Sequence, residues 1–351
     1  MDRTAKEHSM DIEDIEVNHP AGKGPNGADP LASEAVDLTD DQAEAVRNES
    51  FSVAIVFHHL KTAWTELQRR GLEERFDELG VTVDGVYGAE FNASKQTEII
   101  EKLSDNEVDA VISIPVDTAA TADAYRAVAD AGIELVFMDN VPDGFEHPRD
   151  YAGCVSSDNE GVGIVAGRFL REFLGKGDVG MITFDAPFYV TDQRESGVRD
   201  VLRNSDDVTI AAEEGFTDPD DVYDLAQNMV VTNPNLNGMF VSWSDPPAVQ
   251  ATRAVEDVGR SEFVITTTGL SSRTVENIAL GGPIKGTGAQ FPYQQGIIEA
   301  NMVGQALLGE STPPFIASGS LPVYRGNFKE QYPKHYQEGL PEDLLESSHS
   351  I

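Results

Sequence analysis

From Phe51 onward two hydrophobic rhythms alternate along the chain. Short apolar runs recur at Ser52 to Phe57, Val81 to Val86, Ala110 to Ile114 and Glu134 to Met138. They continue at Val179 to Phe184, Thr209 to Ala212, Gly238 to Val241, Phe263 to Thr267 and Ile284 to Gly286. The run Leu135-Val136-Phe137-Met138 is unbroken, which predicts a strand buried on both faces of a parallel sheet. Between the runs the period lengthens. Trp64, Leu67, Leu72, Phe76 and Leu79 fall near helical spacing, Glu66, Arg69, Arg70 and Glu73 fill the other face, and Gly80 stops the helix. Repeated strand and helix units predict parallel sheets covered by helices on both sides. About four units precede Ser156 and about five follow it, which predicts an α/β fold of two doubly wound lobes in tandem, with a cleft at their strand ends.

The polar interruptions matter most where strands stop. Asp139-Asn140 ends the Leu135 run, at the carboxyl edge where open α/β sheets take their ligands. A turn cap is the bland alternative for Asp139, and a core position is the bland alternative for Trp64. Ser156-Ser157-Asp158-Asn159 opens the next helix, with Asp158 or Asn159 expected as its cap. Gly161, Gly163 and Gly167 depart from the dinucleotide fingerprint, so they are read as close helix packing rather than a phosphate site. His58 and His59 are adjacent on an extended segment and point to opposite faces, which argues against one shared metal ion. No nucleophile, base and orienter assemble into an enzyme site, and no cofactor is expected.

Composition limits the partners. The 351 residues suit two lobes, and 25 Lys and Arg against 61 Asp and Glu leave a formal charge of −36. Such a surface repels nucleic acid, and we read it as halophilic, since the excess runs through Asp218, Asp220, Asp221 and Asp224 and not only through a tail. Residues 1–49 are acidic and rich in Gly, Pro and Ser, so they read as a disordered or loosely attached leader, with a short helix over Asp40 to Val46. Cys154 is the sole cysteine and excludes an internal disulfide. The start shows no secretory signal or lipid-anchor cysteine, and no run spans a bilayer.

Several short motifs, in order, carry a resemblance. They are Val53-Ala54-Ile55-Val56-Phe57-His58-His59 with Trp64 downstream, Val111-Ile112-Ser113-Ile114-Pro115-Val116-Asp117, Val136-Phe137-Met138-Asp139-Asn140 and Val155-Ser156-Ser157-Asp158-Asn159. Gln193-Arg194-Glu195-Ser196-Gly197 and Gly288-Ala289-Gln290-Phe291-Pro292-Tyr293 complete them. Together, over roughly Phe51 to Tyr324, the chain resembles type I periplasmic binding proteins of the ribose and galactose class, the substrate-binding components of sugar ABC transporters.

The resemblance implies a periplasmic binding protein-like I fold, with a first lobe of 50–156 plus 291–321, a second of 157–290 plus 322–335 and a flexible tail at 336–351. It places a three-segment hinge at Ser156, Ser157, Phe291 and Pro322. It carries ligand contact to His58, Trp64, Asp139, Asn140, Arg194, Trp243, Asp245 and Gln290, with Phe216 a weaker candidate. The implied function is non-enzymatic: a monomer that closes on a sugar-like molecule and presents it to a membrane permease from an extracytoplasmic, cell-surface-associated position. An intracellular sugar-sensing domain working with a separate regulatory partner is the alternative. Asn140 stands where ribose-like members commonly have Arg, and Gly269 where they often have Asp. Two charged contacts are therefore missing, which moves the expected ligand from ribose toward a different polyol, a sugar acid or another small polar compound, with His58 and Lys61 compensating.

Overall fold

The structure is a computed structural model and describes residues 14–17, 19–105, 108–186 and 188–347. In chain order it contains α1 (Asp40–Asn48), β1 (Ser52–Phe57), α2 (Ala63–Glu78), β2 (Thr82–Gly88), α3 (Ala93–Ser104), β3 (Ala110–Ser113), α4 (Ala122–Asp130), β4 (Glu134–Met138) and β5 (Gly153–Ser157). Then come α5 (Asn159–Leu174), β6 (Gly177–Phe184), α6 (Tyr189–Arg203), β7 (Val208–Phe216), α7 (Val222–Thr232), β8 (Leu236–Val241), α8 (Val249–Asp257), β9 (Val264–Thr268), α9 (Ser272–Ala279) and β10 (Ile284–Ala289). The chain continues through α10 (Pro292–Leu307), β11 (Phe315–Ser318), β12 (Leu321–Tyr324), α11 (Phe328–Tyr336) and α12 (Glu342–Ser347).

Two compact units share these elements: a first of residues 23–157 and 292–318, and a second of residues 1–22, 158–291 and 319–351. The first holds a six-stranded sheet in the order β11-β5-β4-β3-β1-β2, parallel throughout. Its residues sort by the two-residue period of a strand. Val53, Ile55 and Phe57 join Leu72 and Phe76 of α2 and Met302 of α10 on one face. Ala54 and Val56 join Ile100 of α3 and Tyr125 of α4 on the other. Both faces are thus covered, as the unbroken apolar runs require.

The second unit repeats the plan in the order β12-β10-β9-β8-β6-β7, all parallel except the edge pair β10/β12. Ile182, Met239 and Ile265 pack under α7 and α8 on one face, and Val179, Met181 and Phe240 under α5 and α6 on the other. Helices α5 and α6 meet closely: a Cβ on Gly163 would lie 1.8 Å from the Arg194 carbonyl oxygen. That is the packing role read from the glycine spacing. Asp158 caps α5 as expected, accepting from the Gly161 amide at 3.0 Å. Asp218, Asp220, Asp221 and Asp224 are exposed around the start of α7, where carboxylates also face a favourable helix dipole.

Three departures from the sequence reading concern the ends and the crossings. The described part of the leader is built in: Val36 and Val46 are fully buried in the first unit's core, and Thr39 closes a capping box on α1. Ile15 is buried in the second unit's core, its carbonyl accepting from Arg168. The looseness expected of residues 1–13 and 18 lies outside the described residues. In the tail, Leu344 packs beside Phe328 and Tyr332, while residues 348–351 lie outside the description. The chain passes between units at Ser157/Asp158, Phe291/Pro292 and Ser318/Gly319, and also at Gly22/Lys23. Pro322, read as a crossing, sits inside edge strand β12 opposite Gly288, a position where a missing amide donor is tolerated.

Candidate functional site

In a sheet of this order the chain turns from one side of β1 to the other, and polar residues gather beyond the carboxyl ends of the strands there. His58 follows β1 directly. Its ring lies 6.0 Å from that of Trp64 and 4.9 Å from that of Phe91. Burial, aided by the neighbouring His59, lowers the His58 pKa to about 4, so the ring is neutral. Two polar atoms here are buried without a partner, Nδ1 of His58 and Nε1 of Trp64. His59 is occupied differently: its Nδ1 accepts from the Lys61 amide at 2.9 Å. Lys61 itself is exposed.

Asp139 and Asn140 end β4 and are both buried. Asp139 adopts a left-handed backbone, φ 56°, and its carboxylate accepts from the Ser156 hydroxyl at 2.6 Å. Ser157 donates to Gln295 Oε1 at 3.3 Å, and Gln295 Nε2 reaches Asp139 Oδ1 at 3.5 Å. The two serines read as crossing residues therefore also orient the β4 carboxylate.

In the second unit Arg194 of α6 is buried, and its Nε donates to Asn159 Oδ1 at 2.8 Å. Trp243 follows β8 with φ 65° and donates from Nε1 to Thr191 on the same α6 helix at 3.2 Å. Its ring packs 4.5 Å from Phe184 and 5.5 Å from Phe216. Phe216 is buried, so it backs Trp243. The Asp245 carboxylate faces Arg273 at 3.6 Å. Gln290 is buried after β10, with its carbonyl 2.7 Å from Nδ1 of His335, a ring whose pKa burial lowers to about 4. Phe291 is half-buried against the cluster of Leu321 and Phe328.

Sequence reading passed over several residues of these clusters. Phe91 is 58% exposed in the loop after β2, edge-on to both His58 and His59. Glu195 is buried beneath the β6 and β8 ends, accepting from the Ser242 hydroxyl at 2.6 Å and the Phe184 amide at 2.8 Å, and burial raises its pKa. Its place in the Arg194 motif was the available signal. A cavity of about 470 Å³ opens at the opposite, amino ends of β1, β3 and β4, near Phe51, Asp109, Ile133 and Glu134. Its lining offers one ring, Phe51, and one hydroxyl, Ser104, beside the carboxylates of Asp109 and Glu134, so the strand ends, with several rings and polar side chains, remain the better candidate. Among the described residues no three His, Cys, Asp or Glu side chains stand where they could hold a metal ion, and no helix is long and apolar enough to cross a membrane.

Comparison with known proteins agrees with this fold. Residues 53–311 match the model of the periplasmic binding protein domain. A D-ribose/D-allose-binding protein of Pseudomonas aeruginosa is 24% identical over 242 residues, 68% of this chain and 75% of that protein. A ribose import binding protein of Bacillus subtilis is 24% identical over 62% of this chain and 69% of its own length. Among solved structures, an ABC transporter solute-binding protein of Agrobacterium vitis bound to α-D-tagatopyranose superposes with a TM-score of 0.73 at 22% identity, covering 83% of this chain and all of that one (100%). One from Actinobacillus succinogenes with bound D-allose gives 0.71 at 22%, covering 79% and 98%. With the family model spanning most of its length, the chain belongs to the periplasmic binding protein family, whose members are non-catalytic, solute-binding components of transport.

Proposed function

We propose that the chain is the substrate-binding component of a sugar ABC transporter, taking a monosaccharide or a closely similar polyol. His58, Trp64, Asp139 and Asn140 contribute from the first unit, and Arg194, Trp243, Asp245 and Gln290 from the second. The observation that carries this reading is the pair of buried, unpartnered nitrogens on His58 and Trp64 at the carboxyl end of β1. A sugar offers an apolar C–H face to the indole and hydroxyls to both nitrogens. Asp139, fixed by Ser156, supplies the charged acceptor that sugar hydroxyls favour. Three or four charge-assisted bonds at about 1.5–3 kcal/mol each contribute roughly 4.5–12 kcal/mol, a range that, with a ring added, spans the roughly 8 kcal/mol of micromolar affinity before ordering costs are subtracted. The names of the Pseudomonas aeruginosa and Bacillus subtilis relatives support a monosaccharide.

In this reading a ligand held by residues of both units favours a closed form, with Ser156, Ser157 and Phe291 beside the crossings, and that form is what a membrane permease takes up. Family membership is consistent with an extracytoplasmic location; we further place the protein, as a monomer, at the cell surface. The formal charge of −36 supports operation in high salt, where charge repulsion is screened. The test is a thermal-shift screen of pentoses, hexoses, polyols and sugar acids at low and molar salt. At least one sugar should raise the melting temperature, more so at high salt. A flat screen across all classes in both buffers would overturn the assignment.

A further inference from the structure

Behind Asp139, helices α2 and α10 approach each other unusually closely. A Cβ on Gly296 would lie 2.3 Å from the Gln68 carbonyl oxygen, and one on Gly71 would lie 2.1 Å from the Tyr293 carbonyl oxygen. Only glycine permits that distance, and its effect is to bring two fully buried polar side chains together. Gln68 Nε2 donates to Glu299 Oε1 at 2.6 Å. The remaining polar atom of each side chain, Gln68 Oε1 and Glu299 Oε2, is buried and has no partner. Were Glu299 a carboxylate, both would be acceptors lacking a donor, and a buried charge would stand without a cation. The titratable groups that face it are the Asp139 carboxyl and the Cys154 thiol, neither of them positive. A single proton on Oε2 resolves both deficits, because the acid then donates to the very amide oxygen that lacks a donor.

We propose that Glu299 is held as an un-ionised acid in a two-bond ring with Gln68, and that this ring, through Gln295, positions Asp139 for the ligand. The second half rests on the role given to Asp139 above. The link is geometric: Gln295 Nε2 lies 3.2 Å from Glu299 Oε1 and 3.5 Å from Asp139 Oδ1, while its Oε1 accepts from Ser157. With Glu299 neutral, the amide's two hydrogens serve one charged acceptor and one neutral one. Ionisation of Glu299 sets two carboxylates competing for that amide and drives them apart. Burial and the nearby Asp139 charge both raise the Glu299 pKa, in keeping with a neutral acid. The folded form therefore binds a proton that the unfolded form releases, and stability and affinity both fall as pH climbs toward the folded value.

Three measurements on the full chain test this. Isotope-edited infrared spectroscopy of ligand-free protein labelled at the glutamate carboxyls should show a protonated-acid carbonyl band at neutral pH that is lost in Glu299→Gln. Glu299→Gln keeps both ring bonds and cannot ionise. It should bind the monosaccharide found in the screen, with D-ribose and D-allose tried first, at wild-type affinity and without the alkaline decline. Glu299→Leu removes the ring and should weaken binding about tenfold, the loss of one hydrogen bond. Absence of the band, or Glu299→Gln binding as weakly as Glu299→Leu, would overturn the proposal. If no sugar binds the wild type, the transport reading fails while the infrared band still decides the protonation state.

Discussion

The ends of β4 and β9 hold the same place in the strand order of their units, yet one carries a carboxylate and the other a glycine. Asp139 has φ 56° and Gly269 has φ 86°, so both strands leave the sheet through a left-handed residue. In both, a hydroxyl from the neighbouring strand attends the turn. Ser156 of β5 donates to the Asp139 carboxylate, whereas Thr287 of β10 donates to the Gly269 carbonyl at 2.6 Å. One scaffold thus serves two ends: in the first unit the hydroxyl aims a charge, and in the second it only satisfies backbone. The second unit's polar chemistry lies elsewhere, on Arg194 and around Trp243.

The strongest way to break this comparison is to make the first end like the second. Asp139→Gly keeps the backbone conformation and removes the charge. Sugar affinity measured by calorimetry should fall at least ~100-fold, the value of two charge-assisted bonds, with the fold intact. Unchanged affinity would remove Asp139 from the site. The aromatic residues should separate next. Trp243→Ala empties a ring cluster and orphans Thr191, costing about 3 kcal/mol in urea unfolding. Trp64→Phe removes a nitrogen that has no protein partner, so stability should stay within roughly 0.5 kcal/mol while affinity drops.

Acid tests both units together, since each buries one neutral histidine, His58 or His335, with its pKa lowered to about 4. The unfolded chain takes up those protons near pH 6.5 and the folded one only near pH 4. Stability should therefore decline as pH falls through that window, by up to roughly 3 kcal/mol per histidine. His58→Gln and His335→Gln should each flatten part of that decline. A smaller effect than the acid decline is expected at Gly269. Gly269→Ala forces a left-handed Cβ and should cost about 1–2 kcal/mol, and Gly269→Asp less, because aspartate tolerates that region better.

Strands β1 and β4 were legible to the residue because a strand covered on both faces needs an unbroken apolar run. Three strands were not. Gly153-Cys154-Val155-Ser156-Ser157 ends in hydroxyls that serve Asp139, Leu321-Pro322-Val323-Tyr324 contains a proline, and Phe315–Ser318 is too short to show a rhythm. At the site, Asp139 stood out as an interruption at a strand end, while Trp243 came only through the resemblance. Gln68 and Glu299 did not, because polar residues on helices read as a solvated face. The missed signal lay in α10: Glu299 is the sole charged residue of that helix and stands among Ile297, Ile298, Ala300, Met302 and Val303, a setting unlike the charged face of a solvated helix.

The stretch ahead of β1 bears on where such a protein can be cut. The family match begins at residue 53, yet Val36 and Val46 complete the core of one unit and Ile15 that of the other. A chain trimmed to the matched boundaries would expose apolar patches on both halves at once. Such a fragment should precipitate on expression, and that failure would reflect missing ballast in the cores and say nothing about sugar.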